Sequence, residues 1–371
     1  AAGIARRMGR LLGWQADYSG ALTWMARGLG YLSDPPAAEE RPAAAMLHIH
    51  TGSLYYLMGQ YEQAAAACRR GLALLEGTQH PHQLAEGNNL LGVINDTRGR
   101  TDDALDYYRQ SIAHWDTVGD AYNRTRVEEN MAAVYFYRGN LPQARDVCLR
   151  VLAFWQKIGH RYGIAHSHMN LGSIYLQQGA WDEANRHFEA ALSGWREGDD
   201  LRWLGQLYTN LGSLNVALED WDRAQHHLER SREILEANDI RDILAETHRW
   251  RAELACGQGN AQQALTHAQR GLSLAQELDI SLEIGANQRV LGKAHRLAGN
   301  TEQAEHHLQQ SLARLELPGY RYELGRTHHE LARLFNAAGN RAGFKTHRAA
   351  AAEIFTAIGA QKDLERVEGL V

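Results

Sequence analysis

Apolar positions in this chain recur on two scales. Over short stretches they keep helical spacing. In residues 171–192, Leu171, Ile174 and Tyr175 share one face, and Ala184, Phe188, Ala191 and Leu192 repeat at i, i+4, i+7 and i+8. Between the two stripes Gly179 predicts a helix stop, and Asp182 and Glu183 suit the positive start of a second helix. Over the long scale the period is 40 residues. Ala64, Ala104, Ala144, Ala184, Ala224, Ala264 and Ala304 keep it without a slip. So do Gly52, Gly92, Ala132, Gly172, Gly212, Ala252, Gly292 and Ala332. A turn series, Gly59, Gly99, Gly139, Gly179, Gly259, Gly299 and Gly339, is broken only at Glu219.

Each period therefore predicts a helical hairpin. The small residues mark where its two helices cross, with Gly172 and Ala184 as the contact points of one unit, because a larger Cβ would force the backbones apart. A lone hairpin cannot bury both of its faces, so neighbours must stack around a continuous core. The predicted fold is an all-α, right-handed solenoid forming one array over residues 1–371. The expected repeats are 1–42, 43–84, 85–124, 125–164, 165–204, 205–244, 245–284, 285–324 and 325–361, with a capping helix at 362–371. Three additional residues offset the first repeat and fall in the proline-rich stretch 33–42, which predicts a longer loop or a slight kink. Pro142 falls in a first helical turn, where a missing N–H costs nothing.

Composition narrows the class. At 371 residues, 44% hydrophobic and 22% charged, the chain is that of a folded protein. No apolar run approaches the ~18 residues of a membrane helix, so no membrane partner is expected. A net charge of −5 argues against a nucleic-acid partner. Three dispersed cysteines suit neither a disulfide framework nor a zinc module, and a cytoplasmic location is expected.

The pattern Leu171-Gly172-x-x-Tyr175, then Gly179, then Ala184-x-x-x-Phe188-x-x-Ala191 resembles the tetratricopeptide repeat. That family's unit is about 34 residues, against 40 here, and the usual closing proline is absent. The longer variant resembles the repeat regions of bacterial maltose-type activators, STAND ATPases and multidomain nucleotide cyclases. The resemblance implies a binding module whose concave groove is lined by the first helices. It does not imply a particular ligand. Because the chain opens without methionine and closes on a segment similar to those signalling proteins, an effector domain is expected upstream.

Chemistry is sparse. Nineteen histidines include His48, His50, His166 and His168 and the neighbours His226–His227, His306–His307 and His328–His329. Adjacent helical positions diverge, so these are expected to be solvated rather than metal ligands. No nucleophile elbow, P-loop or dinucleotide fingerprint occurs, and Cys68 and Cys148 fall on core positions. The chain is not expected to be an enzyme, nor to need a cofactor or metal. Trp115, Trp155 and Trp195 keep the 40-residue period and read as core. On the expected groove face stand Asn130, Asn170 and Asn210 in three successive repeats. Their amides could bond an extended peptide, as the resemblance implies, or could fix repeat geometry. Further along come Arg249, Arg289, Lys293, Arg296, Arg326 and Arg333, interrupted by Glu246 and Glu253. These could clamp acidic groups, or could pair across repeats with Glu253 or Glu330. The leading expectation is a signal-sensing groove for a protein or peptide segment, an acidic one included, or for a small signalling molecule. The alternative is a structural scaffold that self-associates as a homo-oligomer or assembles a complex.

Overall fold

The structure, a computed structural model, describes residues 1–15, 17–195, 200–316 and 319–370. Its described residues are helical apart from turns and loops, forming an all-α solenoid in two compact units, Ala1–Val134 and Tyr135–Val371. Val371, the last residue of the expected capping helix, lies outside the described residues.

The first unit holds α1 (Ala2–Trp14), α2 (Tyr18–Leu29), α3 (Arg41–Leu57), α4 (Tyr61–Ala73), α5 (Pro81–Thr97), α6 (Thr101–Val118) and most of α7 (Ala121–Tyr137). Helices α1 to α6 pair as three successive hairpins. The proline-rich stretch is the loop between α2 and α3. There the Glu40 carboxylate accepts hydrogen bonds from the backbone N–H groups of Ser33 (3.1 Å) and Ala37 (3.1 Å).

The second unit contains α8 (Leu141–Ile158), α9 (Arg161–Gln178), α10 (Trp181–Gly194), α11 (Leu201–Ala217), α12 (Trp221–Ala237), α13 (Arg241–Gly257) and α14 (Ala261–Glu277). It continues through α15 (Ser281–Leu297), α16 (Thr301–Leu315), α17 (Arg321–Ala337), α18 (Arg341–Ile358) and α19 (Gln361–Glu368). From α9 to α18 they form five hairpins, with α8 against α9 and α19 against α18. The local reasons are periodic too. Asn140, Asp220, Asn260 and Asn340 each cap a second helix by accepting the backbone N–H three residues on, a bond whose loss costs about 1 kcal/mol.

Inside the hairpins the small residues behave as close-approach points, with one difference from expectation. At Gly292 and Gly52 a Cβ would come within 3.0 and 2.9 Å of the carbonyls of Ala304 and Ala64, members of the alanine series. At Gly92, Gly172 and Gly212 the space is instead taken by the side chain one turn beyond the alanine, Tyr108, Phe188 and Leu228, and at Gly292 Leu308 comes nearer than the carbonyl. A large side chain at that position needs a deeper recess than the backbone crossing itself. Trp115, Trp155 and Trp195 are buried, as are Cys68 and Cys148. Of the terminal helix, Val367 is buried and Leu364 packs against a cluster of Ala351, Ile354, Phe355 and Ile358.

Not all the histidines stay on the solvated surface, although His226 and His306 do. One imidazole per second helix, at His187, His227, His267, His307 and His347, is half-buried against the first helix of its own hairpin.

Candidate functional site

First helices touch first helices. α11 packs on α13, α13 on α15 and α15 on α17, while second helices approach one another less closely. A stack in which only one layer is in direct contact curves toward that layer, so the first helices make the inner wall of the second unit. Its curvature brings the ends of the unit together. At the turn before α8, a Cβ on Gly139 would collide with Ile358. At the α9–α10 turn, one on Gly179 would collide with Lys362, and the Arg366 guanidinium lies 5.9 Å from the Trp181 ring.

The wall has two chemistries. On α13, α15 and α17 the charged side chains are interlocked. Arg249 grips Glu283 with Nε (2.8 Å) and Nη2 (3.1 Å), a fork-on-carboxylate pair, and its Nη1 lies 3.6 Å from Glu323. Arg289 donates to Glu253 (2.5 Å) and to Glu323 (3.0 Å). Lys293 donates to the other Glu253 oxygen (2.6 Å). Arg326 reaches past α15 to bond Glu253 (2.7 Å) and also holds Glu323 (3.0 Å). Arg296 bonds Glu330 (3.0 Å), with Arg333 3.5 Å from its second oxygen. Trp250 lies beside this set, its ring 4.8 Å from the Arg249 guanidinium and 5.2 Å from that of Arg326.

Desolvation makes such pairing obligatory. Burial alone would raise the Glu253 carboxyl, but Lys293, Arg289 and Arg326 outweigh it and hold it well below its usual range. Burial likewise works against ionisation at Glu323 and Glu330. Arg289, Arg326 and Arg249 around the first, and Lys293, Arg296 and Arg333 around the second, bring both to about 2. A carboxylate this deep stays ionised only with its cations in place.

On α9 and α11 the same face is uncharged. Asn210 donates to the Ser173 hydroxyl (3.3 Å) and accepts from Gln206 (3.1 Å), whose amide also donates to Glu246 (3.0 Å). Asn170 lies at 3.5 Å from His166 Nδ1, and Ser213 donates to the Asn210 carbonyl (2.8 Å). A primary amide has two donors and two lone pairs, so these contacts leave hydrogen-bonding capacity on both asparagines. In the first unit Asn130 donates to Asn89 (3.1 Å).

A family model described as tetratricopeptide repeat matches residues 123–197, 163–237 and 243–317, together just over half of the chain. The chain belongs to the tetratricopeptide repeat family. It is a repeat module of the protein-interaction class. Among solved structures it is similar to a Rap protein complexed with competence and sporulation factor, at 13% identity and TM-score 0.74, covering 97% of this chain and 99% of that one. It is also similar to the apo form of RapI (14%, TM-score 0.61, 73% and 97% covered). A third is aspartyl phosphate phosphatase F from Bacillus subtilis (12%, TM-score 0.59, 100% and 94% covered). At these identities the likeness is one of fold. No curated protein matches the sequence.

On these tetratricopeptide repeats the predicted residues separate into three groups. Asn170 and Asn210 share the uncharged wall. Arg249, Arg289, Lys293, Arg296, Arg326 and Arg333 share the charged one, each with a glutamate partner. Asn130 belongs to the first unit. Sequence reading missed Glu283, Glu323, Gln206 and Trp250. A signal for the first two was present: Arg249–Glu283, Arg289–Glu323 and Arg296–Glu330 all repeat a 34-residue offset. Among the described residues no group of three potential ligands is arranged to hold a metal ion, and no helix is long and apolar enough to cross a membrane.

Proposed function

We propose that the inner wall of the second unit is a sensing groove for an extended peptide or unfolded protein segment. Asn170 and Asn210 bond its backbone, with Gln206, Ser173 and Ser213 completing an uncharged polar strip. The supporting observation is that strip's remaining hydrogen-bonding capacity, set on the curved face of a repeat array. Asparagine amides offer the alternating donor and acceptor that an extended backbone needs. The six cations serve chiefly as the framework of the adjoining wall. Arg333, with 40% of its side chain exposed, is the one placed to meet an acidic group on the ligand. That a Rap protein of this fold is found with a bound factor is consistent with such use. Occupancy stiffens the array, which is how binding is converted into a signal.

The test is affinity selection of a random 15-residue peptide display library on the immobilised chain. Selected peptides should lose about tenfold or more in affinity for an Asn170→Ala/Asn210→Ala variant that melts as the parent does. Peptides that bind both proteins equally, or a selection that enriches none, would remove the groove. The second reading, a scaffold, draws on the exposed Leu149 and Ile158 of α8. It requires concentration-dependent sedimentation that the asparagine variant leaves unchanged.

A further inference from the structure

Five successive second helices carry a histidine at the same register, His187, His227, His267, His307 and His347, each 40 residues apart. Nineteen residues before each stands its facing residue on the first helix: His168, Tyr208, His248, Gln288 and His328. Three rungs are thus imidazole on imidazole. The Nδ1 atoms of His168 and His187 are 2.8 Å apart, and those of His328 and His347 are 2.9 Å apart. The rings of His248 and His267 stack at 5.8 Å and 22°. The other two rungs are Tyr208 stacked on His227 at 6.0 Å and Gln288 Oε1 at 2.6 Å from His307 Nδ1.

These rungs respond differently to protons. At 2.8 Å one Nδ1 donates and the other accepts, so a pair with no added proton or one added proton keeps its bond. A second added proton leaves two N–H donors and two positive charges face to face. The Tyr208 and Gln288 rungs hold one titrating ring instead of two, so acid places at most one charge in each. His227 is itself lowered by burial, His226 and Arg223, and His307 is pushed down to about 4 by burial, His295 and His306. We propose that the His168–His187, His248–His267 and His328–His347 rungs are acid-labile latches, which release the second helix from the first in hairpins α9–α10, α13–α14 and α17–α18 when the medium turns acidic.

The surroundings work in the same direction. Burial, then His168 and Arg186, push His187 down to about 4 against a weaker pull from Glu183. Burial, then His267, Arg251, Arg270 and Arg232, push His248 down to about 3. His267 falls to about 4 through burial and Arg251, opposed by Glu229. His328 falls to about 4 through burial and His347, while burial lowers His347 against Glu305. An opened rung takes up two protons near the ordinary value of 6.5, and a closed rung takes up at least one fewer. Each latch then opens at least about tenfold more for every pH unit below 6.5. Hairpin α11–α12, whose first helix has Tyr208 in this register, is the one-histidine comparison, with only the His227 ring in its rung to take up a proton. In α15–α16 the His295 ring stacks on His307 at 5.2 Å, which gives that hairpin a lesser share of the effect.

Hydrogen exchange on the intact chain at pH 7.5 and 5.5, corrected for intrinsic rates, tests this. Protection in α10, α14 and α18 should fall about tenfold further than in α12. Equal losses in α12, or no loss anywhere, would overturn the proposal. His168→Gln/His248→Gln/His328→Gln copies the Gln288 rung that the chain already uses. This variant should keep its pH 7.5 protection and lose the excess acid response. An unchanged response would overturn the assignment as well. Glu253, Glu323 and Glu330 do not interfere, because their cations hold them below the usual carboxylate range, whereas burial raises Glu283, the partner of Arg249 on α13.

Discussion

The two stretches of inner wall in the second unit share one backbone plan and differ in how they satisfy their polar atoms. Along α9 and α11, equivalent positions read Asn170 and Asn210, then Ser173 and Ser213. Along α13, α15 and α17 they read Trp250, Val290 and Glu330, then Glu253, Lys293 and Arg333. The uncharged stretch bonds mostly to its immediate neighbours and keeps donors in reserve. The charged stretch spends its donors internally, across one repeat or two. An array can therefore keep one geometry while one part of its wall satisfies its polar atoms internally and another keeps hydrogen-bonding capacity in reserve.

The sharpest way to break this contrast is Glu253→Ala. It takes the carboxylate from Lys293 and leaves Arg289 and Arg326 to share Glu323 in a buried site, and unfolding in urea should show a loss of about 3–5 kcal/mol. A loss below about 1 kcal/mol would mean that the charged wall is not an interdependent network.

Acid should separate the histidine latches from the charged wall by pH. Histidines held below 6.5 destabilise the fold as pH falls from 6.5 toward about 4, because the unfolded chain binds those protons first. Glu323 and Glu330, held near 2, contribute stability above 4.5 that is lost as pH falls from 4.5 toward 2. Denaturation midpoints measured from pH 8 to 3 should decline in two steps. Glu253→Ala should blunt only the lower one.

A milder exchange rewrites one charged rung as a neutral one. Thr209 and Ile243 occupy the positions of Arg249 and Glu283 one repeat earlier. Arg249→Thr with Glu283→Ile should cost less than Glu283→Ile alone, by about 1–3 kcal/mol, since the buried guanidinium would lose its bidentate partner and keep only the longer contacts to Glu246 (3.3 Å) and Glu323 (3.6 Å). A double-mutant cycle with no coupling would refute the pairing. The smallest effect concerns the turn of the uncharged stretch. Glu219 sits at φ 60°, where Gly259, Gly299 and Gly339 serve the charged one. Glu219→Gly should raise stability by about 0.5–1 kcal/mol, readable as a small rise in melting temperature.

What was legible in the sequence was everything set by the period itself. Ala184 and its counterparts, the turn at Gly179, the loop at 33–42 and the terminal helix all follow from rules that act within one repeat or between adjacent ones. The partner of Arg249 was not legible in that way. It depends on how tightly the first helices curve, a quantity summed over many small rotations between repeats. The histidine rungs were overlooked for a different reason. Attention to neighbours such as His306 and His307 looks along one helix, whereas His187 finds His168 across the hairpin turn. Periodicity alone could have shown both, through the offsets of 34 and 19.

The bond from Arg326 on α17 to Glu253 on α13 skips the repeat between them. In a chain of nearest-neighbour contacts a mechanical load peels units one by one from the ends. A staple across two units makes three hairpins yield together. Stretched from both termini, the second unit would first part where Ile358 and Lys362 meet Gly139 and Gly179, and would then behave as a compliant spring in series with a stiff block. The extension would be taken up by α9 to α12, the part of the wall without such a staple.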